Sequence, residues 1–249
     1  MGFKEVNLWH RLIEDDSHDL LVEAEGLLGF YGGPEAPQPE VTFLRVHQIN
    51  EGKRKSQDAI LEIMNYRREK IGEYWVGQVR RIDLPAQQTG NDLRDVSYRF
   101  GDVLSEYPEA GKVWRHWASN VTPESGEWTR WAPHYHETWL HVVQNSWFAS
   151  RRRASRYGTD EIVSLDGLSI TTKPAFYCAL GEAVNGPRGY FGSNLDAVAD
   201  CLSPKQRETT PPLAITWHNF EKSHENLGGD FMKSLLSVLE RFHVRIDPR

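Results

Sequence analysis

The last third of this 249-residue chain alternates strand-like and helix-like runs, and that alternation is what most restricts its fold. Val163–Ile170 reads as a first strand and the turn after it. A helix is predicted from about Pro174 to Val184. Thr171 and Thr172 can cap it with a hydroxyl, an early proline opens it, and Asn185-Gly186-Pro187 stops it. Leu213–Trp217 is a largely apolar run bounded by Pro211-Pro212, as a buried parallel strand requires. Gly228-Gly229-Asp230 precedes a last helix whose core stripe is Leu235, Leu236, Val238, Leu239 and Phe242, and His243–Ile246 is short and β-like. Strands and helices in this order imply right-handed crossovers and a small parallel sheet.

Between the first two strands lies Tyr190-Phe191-Gly192-Ser193-Asn194, followed by a predicted helix over Leu195–Leu202. Ser193 or Asn194 can accept a hydrogen bond from a free N–H of its first turn. Asp196 and Asp200 are four residues apart, so both carboxylates share one face, while Leu195, Val198 and Leu202 mark the buried stripe. Two acids beside a tyrosine lack the base, nucleophile or metal partner of an active site. They do imitate a nucleic-acid fragment, with negative charge where phosphates would be and a ring where a base would be.

These ordered segments, covering roughly Ile162 to Pro248, resemble the barstar family of intracellular inhibitors of small bacterial ribonucleases. The resemblance implies a three-stranded parallel sheet packed by helices and a basic, barnase-type ribonuclease as target. It places Asp200 in the enzyme's phosphate site and Asp196 against a neighbouring arginine or backbone N–H groups. Tyr190 and Phe191 would pack over the catalytic histidine and base site, with Gly192 and Asn194 shaping the loop. Ala199 stands where the family prototype has a tryptophan, and Ser203-Pro204-Lys205 follows the helix where an aromatic is expected. Arg241 stands where a glutamate is expected, with Glu240 one residue before. The reversed charge points to a relative of barnase, or a nuclease toxin with a differently charged rim.

A chain of this length is comfortable as two domains, which we place at 1–156 and 157–249. The net charge of −6 argues against direct nucleic-acid binding and for a basic partner. From Asp160 onward there are 12 acids against 9 Lys/Arg, so the same balance holds there. Cys178 and Cys201 read as reduced, buried thiols of a cytoplasmic protein. Charges follow the initiating methionine closely, so no signal peptide is expected, and no apolar run approaches a membrane span.

The first domain reads as α+β and resembles no family. Its expected parts are short apolar strands at 20–22 and 27–31, a loop through Gly32–Pro39, and strands over Val41–His47, Tyr74–Ile82 and Asp92–Phe100. Helices are expected over Lys53–Lys70, Pro108–Ala118 and Glu137–Arg151. His134, His136, Glu137 and His141 could ligate zinc, but a His-x-His loop without cysteines is a weak metal pattern. The neighbouring Trp and Tyr residues could stack single-stranded nucleic acid. An aromatic core with an exposed histidine or two is the preferred reading. Arg151–Arg156 is read as a solvated helix end and linker marking the boundary.

Three functions follow in order of preference. The first is an inhibitor or immunity protein that blocks a nuclease active site. The alternative is an RNA-binding or regulatory protein in which the barstar-like domain only tethers a partner. An enzyme in the first half comes last, because neither a nucleophile–base pair nor a phosphate loop supports it. No cofactor or metal is expected.

Overall fold

In a computed structural model, residues 8–31, 40–82, 94–101, 105–119, 122–203 and 212–249 are described. The expected Gly32–Pro39 loop, most of the polar loop before Val96, and Pro204, Lys205 and Pro211 lie outside these residues. The chain divides into two compact units. One comprises Met1–Val121 and Phe148–Ser150, the other Thr122–Trp147 and Arg151–Arg249.

The first unit is a closed six-stranded antiparallel barrel, not a simple α+β domain. Its strands are β1 (Trp9–Glu14), β2 (Leu20–Leu28), β3 (Glu40–Ile49), β4 (Lys55–Met64), β5 (Lys70–Arg81) and β6 (Val96–Phe100), ordered β1-β2-β3-β6-β5-β4. Closure comes from β1 pairing with β4 and β3 with β6, which leaves no edge open to unwanted pairing. The helix expected over Lys53–Lys70 is therefore corrected to strand β4, a turn and the start of β5. Ala59, Leu61 and Ile63 are fully buried at period two, the spacing of a strand and not of a helix. Asn65 makes the turn: its Oδ1 accepts from the N–H groups of Arg67 (2.9 Å) and Glu69 (3.0 Å), and Arg68 takes the left-handed φ of 61°. The two apolar runs at 20–22 and 27–31 are joined, as far as Leu28, in the single strand β2.

Helix α1 (Ala110–Ser119), expected over Pro108–Ala118, buries Val113, Trp114 and Trp117. Trp114 lies so close to Gly72 that a Cβ there would sit 2.2 Å from its ring, and its Nε1 donates to Tyr74 Oη at 2.9 Å. His10 is buried in the same unit, and burial pushes its imidazole down to about 3 from 6.5. It stays neutral in the fold and takes up a proton on unfolding below pH 6.5. Its contribution is thus complete above 6.5 and lost as pH falls toward about 3, at up to ~1.4 kcal/mol per pH unit. Unfolding midpoints of wild type and His10→Gln across this window should show a shallower pH dependence in the variant. An unchanged dependence would mean that His10 is not the group responsible.

In the second unit, helix α2 (His136–Ala149) follows two short 3-10 turns, Glu127–Arg130 and Pro133–Tyr135; its last two residues fall in the first unit's segment. Then come β7 (Ile162–Asp166), α3 (Lys173–Asn185), α4 (Leu195–Leu202), β8 (Ala214–His218), α5 (Phe220–Leu227), α6 (Gly229–Arg241) and β9 (Arg245–Pro248). The three strands form a parallel sheet in the order β7-β8-β9, with Val163 opposite Ile215 and Ile215 opposite Ile246. The central strand carries Trp217, fully buried and stacked on Phe176 at 5.5 Å. Thr172 caps α3, its hydroxyl accepting from Ala175 N. Helix α5 was not anticipated. It is entered through Asn219 at φ 52° and ends at Gly228 at φ 83°, a C-terminal glycine that could have marked it. No helix among the described residues is long and apolar enough to cross a membrane.

Candidate functional site

The Tyr190–Leu202 segment connects α3 to α4 and presents its two acids outward. Asn194 is the N-cap of α4, its Oδ1 accepting from Ala197 N at 2.8 Å. The other candidate cap, Ser193, instead places its Oγ 3.4 Å from Tyr190 Oη. Gly192 turns the chain at φ 99°, and a Cβ there would lie 2.6 Å from Val198 N. Only glycine meets both the torsion and the approach. Val198 and Cys201 anchor the inner face of α4, while Leu195, Ala199 and Leu202 are half-buried.

Asn194, Asp196 and Asp200 are exposed. Tyr190 and Phe191 are not: 3% and 1% of their surfaces reach solvent. The rings hold the loop from inside, Tyr190 lying against Trp147 at 6.5 Å between centroids. Burial raises the Tyr190 hydroxyl's pKa and pushes the Cys201 thiol up to about 12, with Asp200 adding to the latter. Cys178 is also buried, with its thiol pKa driven well above the usual value. Both cysteines are free and remain protonated thiols, poor nucleophiles. Glu240 and Arg241 are exposed at the end of α6, which packs beside α4.

The histidine-rich stretch is taken up by packing. His136 is buried, with Nδ1 3.2 Å from Thr172 Oγ1 and its ring edge-on to Trp128. His141 Nε2 lies 3.0 Å from Asn145 Nδ2, and burial lowers its pKa to about 4. His134 and Glu137 are exposed. Among the described residues no group of three or more His, Cys, Asp or Glu is arranged to hold a metal ion.

A capped acidic helix after a glycine turn, set between the first two strands of a three-stranded parallel sheet, is the arrangement that the resemblance implied. Residues 161–247 match the family Barstar (barnase inhibitor). The match runs from just before β7 into β9 and so takes in β7, β8, α4 and all of β9 but its last residue. No family matches the N-terminal region, and no curated protein matches the chain.

Sequence reading missed the polar groups behind the Barstar-like loop. Arg188 and Glu127 form a buried ion pair, and Glu182 and Asn185 bond to the backbone around it. Glu127 and Arg188 are 61 residues apart, so no local pattern joins them. Asn185 carried only a helix-stop signal. The cap is the easiest part of the site to probe. Asn194→Ala is expected to lower stability by about 1 kcal/mol through the lost bond to Ala197 N–H. Denaturant unfolding reads this directly, and Asn194→Asp, which keeps an acceptor, should recover most of it.

Proposed function

We propose that this chain is a proteinaceous inhibitor or immunity protein that blocks the active site of a small basic bacterial ribonuclease or nuclease toxin. The observation that carries the reading is the exposed pair Asp196 and Asp200, one turn apart on a helix within the matched segment. A ribonuclease binds the phosphates of RNA with cationic side chains. Two carboxylates on a rigid helix meet those cations without offering a bond to cleave. Asp200 enters the phosphate site and Asp196 pairs with a neighbouring arginine or backbone N–H groups. Asn194 and half-buried Ala199 lie on the same contact, and Ala199 leaves room where a tryptophan would fill it. Gly192, Tyr190 and Phe191 set the backbone that carries these groups. The chain itself does no chemistry.

The acidic balance of the chain favours encounter with a basic enzyme, and salt should slow association more than dissociation. Arg151, Arg152 and Arg153 are exposed and support the second reading, an RNA-binding or regulatory protein tethering its partner. Titrating a panel of small basic bacterial ribonucleases with the intact chain tests the proposal, with RNA cleavage as readout. Loss of cleavage at one equivalent supports it. RNA retained on a filter by the chain, with every enzyme left active, supports the second reading.

A further inference from the structure

The acidic segment is entered through Arg188 and Tyr190; Arg188 is fastened directly, and Tyr190 through Asn185, to residues that precede the family match. Arg188 sits at φ 56°. Its guanidinium donates to Glu127 twice, Nε to Oε2 at 2.8 Å and Nη2 to Oε1 at 3.1 Å. Its backbone N–H donates to Glu182 Oε1 at 3.3 Å, and Glu182 Oε2 accepts from Gly126 N (2.7 Å) and Trp128 Nε1 (3.3 Å). The side chains of Arg188 and Glu127 are 10% and 1% exposed, so this is a desolvated, bidentate ion pair.

On the other side, Asn185 spends its whole amide. Nδ2 donates to the carbonyls of Tyr190 (2.7 Å) and Ser155 (3.1 Å). Oδ1 accepts from Tyr157 N (2.7 Å) and Gly158 N (3.3 Å). The strap that it grips is itself tied down: Trp147 Nε1 donates to the Arg153 carbonyl, and Arg153 N donates to Tyr157 Oη, both at 2.9 Å.

We propose that residues 126–128 and 153–158 form a positioning frame for the Tyr190–Asp200 segment, with Glu127 and Asn185 as its positioning residues. A loop already held in its binding geometry loses less conformational freedom on association, and that saving appears as affinity. The segments outside the family match would thus determine how rigidly the acids are presented. The functional half of this inference rests on the inhibitor reading; the order of the loop does not.

The test uses the full chain and needs no partner. Asn185→Asp keeps the acceptor for Tyr157 and Gly158 but loses both donated bonds. Amide hydrogen exchange across 189–201 is compared with Leu239→Ala, a core truncation in α6, after global stability has been measured for each. Asn185→Asp should speed exchange of the loop by about tenfold beyond its global effect, the equivalent of one or two hydrogen bonds. Leu239→Ala should speed exchange evenly across the unit. Trp147→Phe, which loses the N–H bond to the Arg153 carbonyl and part of the ring surface packed against Tyr157 and Tyr190, should show the same local pattern and decides the matter if Asn185→Asp does not fold. Even acceleration in both frame variants, or loop amides already unprotected in the wild type, overturns the proposal. With a ribonuclease that the chain inhibits, Asn185→Asp should raise the dissociation rate and leave association unchanged. Absence of any inhibited enzyme counts against the inhibitor reading alone, since the exchange data still judge the frame.

Discussion

Asp200→Ala is expected to remove tight ribonuclease binding while leaving the free chain as stable as before, or slightly more so. Asp200 lies in the last turn of α4, where the partial negative charge of the helix end opposes a carboxylate. Aspartate is also a poorer helix former than alanine. Removing it should therefore gain about 0.3–1 kcal/mol in the isolated protein. In the complex the same change strips a counter-charge from a desolvated cationic pocket, a loss of about 2–5 kcal/mol, or roughly thirty- to several-thousand-fold in affinity. Close charge pairs between barnase and barstar have coupling energies in the range of ~1.5–7 kcal/mol, which shows the scale that such contacts reach. Calorimetric titration and thermal unfolding of the same two samples read both effects. A fall in stability together with the fall in binding would mean that Asp200 acts by holding the fold. Asp196, in the first turn, should behave oppositely, because there the helix dipole favours the acid.

The second large effect is structural. Arg188→Ala is expected to destabilise the second unit by about 3–5 kcal/mol, because it leaves Glu127 buried without its cation. Burial already raises the pKa of Glu182, with Glu127 adding to the shift against three opposing hydrogen bonds. Without Arg188 the two carboxyls face each other unscreened. A carboxyl whose folded pKa lies above its unfolded value stabilises the fold only once protonated, so part of the loss should return as pH falls through the raised pKa. Replacing both partners, Glu127→Leu with Arg188→Met, should cost far less than the single change, since no unpaired charge remains. Urea unfolding near neutrality and in mild acid measures all of this. A loss below about 1 kcal/mol for Arg188→Ala would place the pair with ordinary surface ion pairs.

Legibility in the sequence followed the range of the interactions. Wherever structure is set by neighbours a few residues apart, it could be read: the Thr172 and Asn194 caps, the glycine turn at 192, and the apolar run that became central strand β8. The exposed face carrying Asp196 and Asp200 follows from helical spacing alone. The barrel could not be read this way. Its closure depends on pairs such as Leu12 with Leu61 and Phe43 with Val96, for which no local pattern exists. The charges of Lys53–Lys70 imitated a solvated helix because those near its end crowd a tight turn, whereas Ala59, Leu61 and Ile63 kept strand period. Tyr190 and Phe191 show a further limit. Adjacent aromatics on a glycine loop suggest a surface for a partner, yet both rings point into the protein, where Trp147 meets Tyr190. The frame of Glu127, Glu182, Arg188 and Asn185 was invisible for the same reason as the barrel, since its bonds beyond the 182–190 stretch join residues 27 to 61 apart.

The central claim is that a carboxylate on α4 occupies a ribonuclease's phosphate site, and titrating RNA cleavage tests it most directly. Small basic bacterial ribonucleases would be titrated with the intact chain and with Asp200→Asn, which keeps the shape of the side chain and removes its charge. Cleavage is expected to stop at one equivalent of wild type and to persist in a large excess of the variant. Equal inhibition by both proteins would contradict phosphate mimicry. Full activity at every ratio, with no nuclease co-purifying from the cells that make the protein, would contradict inhibition itself.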